Sequence, residues 1–236
     1  MKIKKVTFTG ADDSIKPEQL FEISEKYPFV EWALLASRNS QGGNRFPSLS
    51  WLAELHRLHY FNLNLALHLC GTYVKEILMG GDRFIDELHP IIHAIKRIQI
   101  NTHGYKHQFD KEGLSRILTE LEEIEFIFQY DNANADILKY ASDNHQNIST
   151  LFDLSHGAGV SPKYWPLPIL NINCGYAGGL SPENIESQLQ LISEVADENE
   201  IWIDMETHVR SNNDSLFDLE KVKLVLDKCL ASGFIK

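Results

Sequence analysis

Residues 168–184 read PILNINCGYAGGLSPEN. The apolar run Ile169, Leu170 and Ile172 has the make-up of a strand buried in a parallel sheet. Gly175, Gly178 and Gly179 follow, and then Ser181-Pro182-Glu183-Asn184. Ser181 suits a helix N-cap and Pro182 the first helical position. The stretch therefore predicts a strand, a glycine turn and a capped helix start. Bare amides at such a turn, backed by the helix dipole, make a seat for an anion. Taken alone, the same glycines equally well serve a tight turn.

Working outward, the pattern repeats. Strands are expected at 5–9 (KVTFT), 29–36, 64–69, 97–101, 125–130, 149–154 and 201–205. Amphipathic helices are expected at 17–27, 49–60, 72–95 (two pieces around Gly80-Gly81), 111–124, 135–143, 182–196 and 219–230. With the opening stretch this makes eight strands, each followed by helical sequence, at intervals of ~20–35 residues. That is the signature of a (β/α)8 TIM barrel of class α/β, read here as one domain over 1–236. An open doubly wound sheet, the alternative, usually has fewer strands and a more glycine-rich first turn.

Composition sets limits. The 236 residues are 43% hydrophobic, enough for one large core. A net charge of −11 speaks against broad phosphate-backbone binding, so no nucleic-acid partner is expected. Cys70, Cys174 and Cys229 lack CxxC spacing, which argues against a zinc motif or a disulfide framework. No apolar run can span a bilayer, and MKIKKVTFTG enters a strand without a signal-peptide core. The expectation is a cytoplasmic protein with reduced thiols and no membrane partner. A homodimer stays open.

In a (β/α)8 barrel the chemistry sits at the carboxyl ends of the strands. Polar residues assigned to those positions are Thr9, Asp12, Asp13, Glu31, His68, Cys70, Asn101, His103, Gln129, Asp131, Asp153, Ser155, His156, Glu206, His208 and Arg210. Buried charge without a partner is costly, so such a ring implies an active site or a paired network. Any single member also reads as a hydrogen-bonded rim residue. His68, Cys70, His103, Asp131, Asp153 and Glu206 include no HxH or HExxH spacing, so neither a metal nor another cofactor is expected.

These residues carry a resemblance. GYAGGLSPENI resembles the seventh-strand LAGGL-x-PENV of the phosphoribosylanthranilate isomerase family. IDMETHVRS resembles its VDVSSGVE, LFDLSHGAGV its LLDS and GGTG loop, IQINTHG its VQLHG, NRFPS its PRYVS, and VTFTG stands where the family has KICG. The resemblance covers most of the chain in order. It implies Asp153 as general acid in an Amadori rearrangement, with His103 and Arg45 matching the family's fourth-strand histidine and loop arginine. It also implies a phosphate on the amides of Gly178, Gly179 and the Thr207-His208 turn.

Two departures follow. The family's basic cysteine is Thr9, whose hydroxyl is no base near neutral pH. Its Ser-Gly is Thr207-His208, which crowds the phosphate, though Arg210 offers a charge-assisted contact. Ordinary phosphoribosylanthranilate isomerase activity is therefore not expected. Two readings remain: a divergent enzyme taking a small phosphorylated or anionic sugar-like ligand, with Asp131 and Glu206 as replacement bases, or a ligand- or partner-binding barrel without chemistry. His68 would face the same mouth and help bind the ligand. Alternation along STLFDL turns Leu151 and Asp153 inward, Asp153 standing at the top of a mostly apolar barrel. Desolvation would raise its pKa there unless Arg45, His103 or Arg210 pairs with it. The bland alternative is a structural aspartate capping the Gly157–Gly159 turn.

Overall fold

The computed structural model describes residues 1–58, 63–102, 105, 108–131, 133–153, 155 and 159–235. Eight parallel strands, β1 (Lys2–Thr9), β2 (Val30–Ala36), β3 (Leu65–Leu69), β4 (Ile95–Ile100), β5 (Glu125–Tyr130), β6 (Ile148–Asp153), β7 (Asn173–Ala177) and β8 (Glu200–Met205), pair in sequence order. β8 returns to β1, so the sheet closes into a barrel. Around it lie α1 (Glu18–Lys26), α2 (Leu49–Arg57), α3 (Thr72–Leu78), α4 (Arg83–Glu87), α5 (His89–Ile92), α6 (Lys111–Glu120), α7 (Ala135–Asn144), α8 (Ile185–Ala196) and α9 (Leu219–Ala231). The fold is the expected (β/α)8 barrel. No helix among the described residues is long and apolar enough to cross a membrane.

Local chemistry explains the elements. All of β2, VEWALLA, is buried, as a parallel strand covered on both faces requires. Ser48 caps α2 by accepting from the Trp51 amide, Asp110 caps α6 through Gly113, and Asp218 caps α9 through Glu220 and Lys221. Each helix turns an apolar stripe onto the barrel, Leu20 and Ile23 on α1 and Leu114, Ile117 and Leu118 on α6. Leu151 packs inside the barrel while Phe152 joins the core beneath the helices, as the alternation of β6 demands.

The opening stretch needs correction. Its strand is NCGYA, not the apolar run before it: residues 169–172 form a loop, and Leu170 is 85% exposed. A glycine belongs in this strand because the Trp202 ring fills the barrel beside it. A Cβ on Gly175 would lie 2.1 Å from Trp202 Cε2. The helix also starts later, at Ile185, and residues 181–184 form a turn in which Ile185 N–H donates to the Ser181 carbonyl at 3.0 Å.

A second correction concerns the link from β6 to β7, which holds no helix among its described residues. Pro162, Pro166 and Pro168 lie too close together for one. The link is a strap pinned by Trp165, whose indole donates to Gln188 Oε1 at 3.0 Å and packs edge-on against Tyr176.

The barrel interior has three levels. At the bottom, Glu31 accepts from Thr7 Oγ1, Lys5 Nζ and Arg97 Nη1, each at 2.9 Å, and Arg97 Nε pairs with Glu125 at 3.3 Å. The Arg97 guanidinium lies 4.2 Å over the Trp202 ring. Above this comes an apolar girdle of Ile127, Leu151, Ala177 and Trp202. The mouth sits on top. The barrel is thus not mostly apolar, and Glu31 is not a mouth residue, because it follows the first residue of β2 rather than ending it.

Candidate active site

The mouth holds a cavity of about 300 Å³ lined by ends of six strands and their loops. His68 and Cys70 come from the third strand, Gln99 and Asn101 from the fourth, Gln129 from the fifth and Asp153 from the sixth. Gly178 and Gly179 follow the seventh, and Asp204, Glu206, Thr207 and His208 complete the wall from the eighth. Strand register explains the carboxylates: Asp153 pairs with Ala177, and Ala177 with Asp204, so both acids stand at one height.

Asp204 is the unexpected member. Period two along EIWIDM turns Trp202, Asp204 and then Glu206 inward, a signal that reading back from Glu206 supplies. Its carboxylate accepts from Thr9 Oγ1 at 2.7 Å. Burial pushes its pKa up to about 8; the Thr9 bond opposes this, and nearby Glu206, Asp153 and Glu31 add to it. Thr9 is therefore no base but a bridge, since its hydroxyl also lies 3.5 Å from His68 Nδ1. Burial pulls the His68 pKa down to about 3, so that imidazole is neutral at ordinary pH. Cys70 is pushed up to about 12 by burial and stays a thiol, touched by the Asn101 amide at 3.1 Å.

Asp153 lines the cavity in a web of donors. Its Oδ1 accepts from Ser155 N–H at 3.1 Å and Ser155 Oγ at 2.7 Å, and its Oδ2 from Gln129 Nε2 at 2.9 Å. The turn it caps is its own, at Ser155. Glu206 is raised by burial at the barrel end, with Arg45 opposing and Asp153 and Asp214 adding.

Arg45 reaches the mouth but is fully engaged. Its Nε and Nη2 donate to Asp214 at 2.8 Å, and its Nη1 to Glu206 and, at 3.3 Å, Thr207 Oγ1. Asp214 sits in the hairpin of β9 (Arg210–Ser211) and β10 (Leu216–Phe217), whose tip residues Asn212, Asn213 and Asp214 all have positive φ. Arg210 is not at a phosphate seat. It is buried, donating to the Gly10 carbonyl and to Asp12 at 2.7 Å each. Asp12, which burial would raise, ends below its usual value through Ser14, the Arg45 amide and Arg210.

Other expected members stand apart. Asp131 caps the turn after β5 through the amides of Ala133 and Asn134 and does not line the cavity. His103 lies outside the described residues. Asn101, two residues past Gln99, is the fourth-strand side chain that reaches the cavity, in the spacing of the family's Gln-x-His. Among the described residues no cluster of three His, Cys, Asp or Glu is set to hold a metal.

The glycine turn has a tighter neighbour than the sequence suggests. A Cβ on Gly179 would come within 2.1 Å of Ser161 N, so the strap backbone packs directly on it. Ser161 Oγ and Asn184 Nδ2 both donate to the Gly179 carbonyl, at 3.0 and 2.8 Å. Neither Gly178 nor Gly179 gives its amide to a described residue. His208 Nε2 meets the Gly159 carbonyl at 2.6 Å, bringing the strap against the eighth-strand loop. Because any side chain at 179 collides with backbone, Gly179→Asp disturbs the strap as well as an anion and cannot probe the seat alone.

Neither a protein-family model nor a curated protein matches the sequence. Solved structures do. Phosphoribosylanthranilate isomerase from Thermotoga maritima is similar at 15% identity and a TM-score of 0.62, covering 98% of this chain and 100% of that one. Monomers generated from the dimeric form of that enzyme give 14% and 0.58, with coverage of 98% and 99%. KGPDC from Streptococcus mutans, in complex with a phosphorylated ligand, gives 10% and 0.53 over 96% and 98%. At these identities the likeness is one of fold.

Proposed function

We propose that this chain is a divergent phosphoribosylanthranilate isomerase-like barrel, one domain over 1–236, that binds a small phosphorylated sugar-like ligand and moves protons on it. The observation that carries the reading is Asp204, a buried carboxyl with a pKa near neutrality, standing at the height of Asp153 on one cavity. Two carboxyl groups in unlike surroundings divide acid and base roles. The hydrogen-bonded Asp153 gives the carboxylate, and Asp204 the exchangeable proton, held in place by Thr9. The amides of Gly178 and Gly179 offer the phosphate seat, with Thr207 and His208 beside it. The folds of a phosphoribosylanthranilate isomerase and of a protein crystallised with a phosphorylated ligand support the ligand class.

The test is a melting-temperature screen with sugar phosphates, since a ligand of the native state alone raises it. Exchange of solvent deuterium into the carbon beside the carbonyl of any stabilising ligand then reads the chemistry. The expected result is exchange that Asp204→Asn abolishes. Stabilisation without exchange would replace this with the second reading, a binding barrel without chemistry. One observation favours that second reading: Ser155 and Gln129 surround Asp153 as they would a structural turn cap. Asp153→Asn separates the roles, since a catalytic Asp153 loses turnover at near-parent melting temperature and a structural one loses stability with turnover per folded molecule kept.

A further inference from the structure

The cavity contains a buried acceptor that the protein does not satisfy. Gln99 is 3% exposed and lines the cavity, yet its Oε1 has no hydrogen-bond partner among the described residues. Its other end is fixed, because Nε2 donates to Asn101 Oδ1 at 2.8 Å and so sets which way the amide points. Neighbouring polar groups are committed elsewhere: Asn101 Nδ2 to Cys70 and Gln129 Nε2 to Asp153. A buried acceptor left unpaired is unfavourable by more than a made bond is favourable, so a ligand donor arriving there gains the difference.

The cation at the mouth tells the complementary half. Arg45 is neutralised by Glu206 and Asp214, with Thr207 sharing the Nη1 donor. A carboxylate arriving there would be a third negative group on one guanidinium, and it would also face Asp153 and Asp204 across the cavity.

From these two features, and resting on the sugar-phosphate reading above, we infer that the substrate is a polyhydroxy phosphate with no carboxylate at the Arg45 end, and that Gln99 Oε1 accepts one of its hydroxyls. Gln99 is thereby a specificity-determining residue, and an aryl-carboxylate ligand is excluded. The two statements draw on different residues and reach the same ligand class.

The experiment measures binding by calorimetry to the parent and to Gln99→Met, using D-ribose 5-phosphate, inorganic phosphate and anthranilate as probes. The expected result is that Gln99→Met weakens D-ribose 5-phosphate about tenfold or more and leaves inorganic phosphate within about twofold. Anthranilate should bind neither protein. Equal weakening of both phosphates, or none of either, overturns the role of Gln99, as does a variant with lower melting temperature and parent affinity, which marks a water-filled structural site. Anthranilate binding to the parent overturns the exclusion at Arg45. Should Gln99→Met fail to fold, the side-chain amide resonance of Gln99 in the parent decides: it must move with D-ribose 5-phosphate and stay with inorganic phosphate. A parent that binds neither phosphate brings down the sugar-phosphate reading itself, and this inference with it, whereas sugar-phosphate binding indifferent to Gln99 sinks this inference alone.

Discussion

The two ends of the barrel interior are both rich in charge, and they treat it in opposite ways. At the bottom, Glu31 sits between Lys5 and Arg97, and although burial works to raise its pKa, those cations hold it below the ordinary value. At the top, Asp204 has only a threonine hydroxyl and neighbouring carboxylates, and its pKa climbs. The girdle of Ile127, Leu151, Ala177 and Trp202 keeps the two apart. Paired buried charge serves the fold, while buried charge left in the wrong protonation state at neutral pH is retained against stability. The difference marks the mouth as the end where something other than folding is served.

The comparison breaks first at Arg97. Arg97→Met leaves Glu31 with Lys5 alone and removes the stack on Trp202, so urea unfolding should show a loss of about 3–5 kcal/mol. A loss below about 1 kcal/mol would mean that the lower layer does not hold the fold.

Asp204 should respond with the opposite sign. Its folded pKa of about 8 lies above the ordinary 3.8, so between those values the native state holds a proton that the unfolded chain has released. Stability contributed by this group is present below pH 4 and is lost as pH rises toward 8. Asp204→Asn should therefore gain roughly 2–4 kcal/mol at pH 8.5 and almost nothing at pH 4. Melting curves of parent and variant across that range check it, and parallel curves would erase the contrast between the ends.

The smallest effect is expected at the boundary. Gly175→Ala drives a methyl into the Trp202 ring and must shift it off Arg97, with an expected loss of about 1–3 kcal/mol and a changed tryptophan emission. An unchanged emission spectrum would show that the girdle adjusts without disturbing the layer below.

The barrel was legible because seven of its strands announce themselves by apolar alternation bounded by turn residues. The seventh misleads for a physical reason: a strand facing a tryptophan needs glycine, so NCGYA looks like a loop, while the truly exposed Ile169–Leu170 looks like a strand. The mouth was legible at Thr9, His68, Asp153, Glu206, Thr207 and His208, which the structure gathers around one cavity or its rim. Asp204 was hidden among apolar neighbours, one turn of the alternation below the more conspicuous Glu206. Asp131 and Arg210 look alike to Asp153 and Arg45 in sequence, and only the turn and the hairpin that absorb them tell them apart. Lys5, Arg97 and Glu125 read as surface charge, because nothing in a single strand shows that its partners lie on others.

Closure of the barrel has a consequence for how the chain is made. Lys2 and Glu200, neighbours in the final pair of strands, are 198 residues apart. During synthesis β1 leaves the ribosome first and waits for β8, so for nearly the whole of translation the growing sheet carries an open edge. Unpaired edges invite pairing with other chains, and contacts this distant in sequence form slowly. Lys2, Lys4 and Lys5 on that waiting strand supply charge of the kind that discourages such pairing. Two of them, Lys2 and Lys4, then find their partner in Glu200, and Lys5 finds its own in Glu31. The residues that guard the nascent edge are the ones that later bolt it shut.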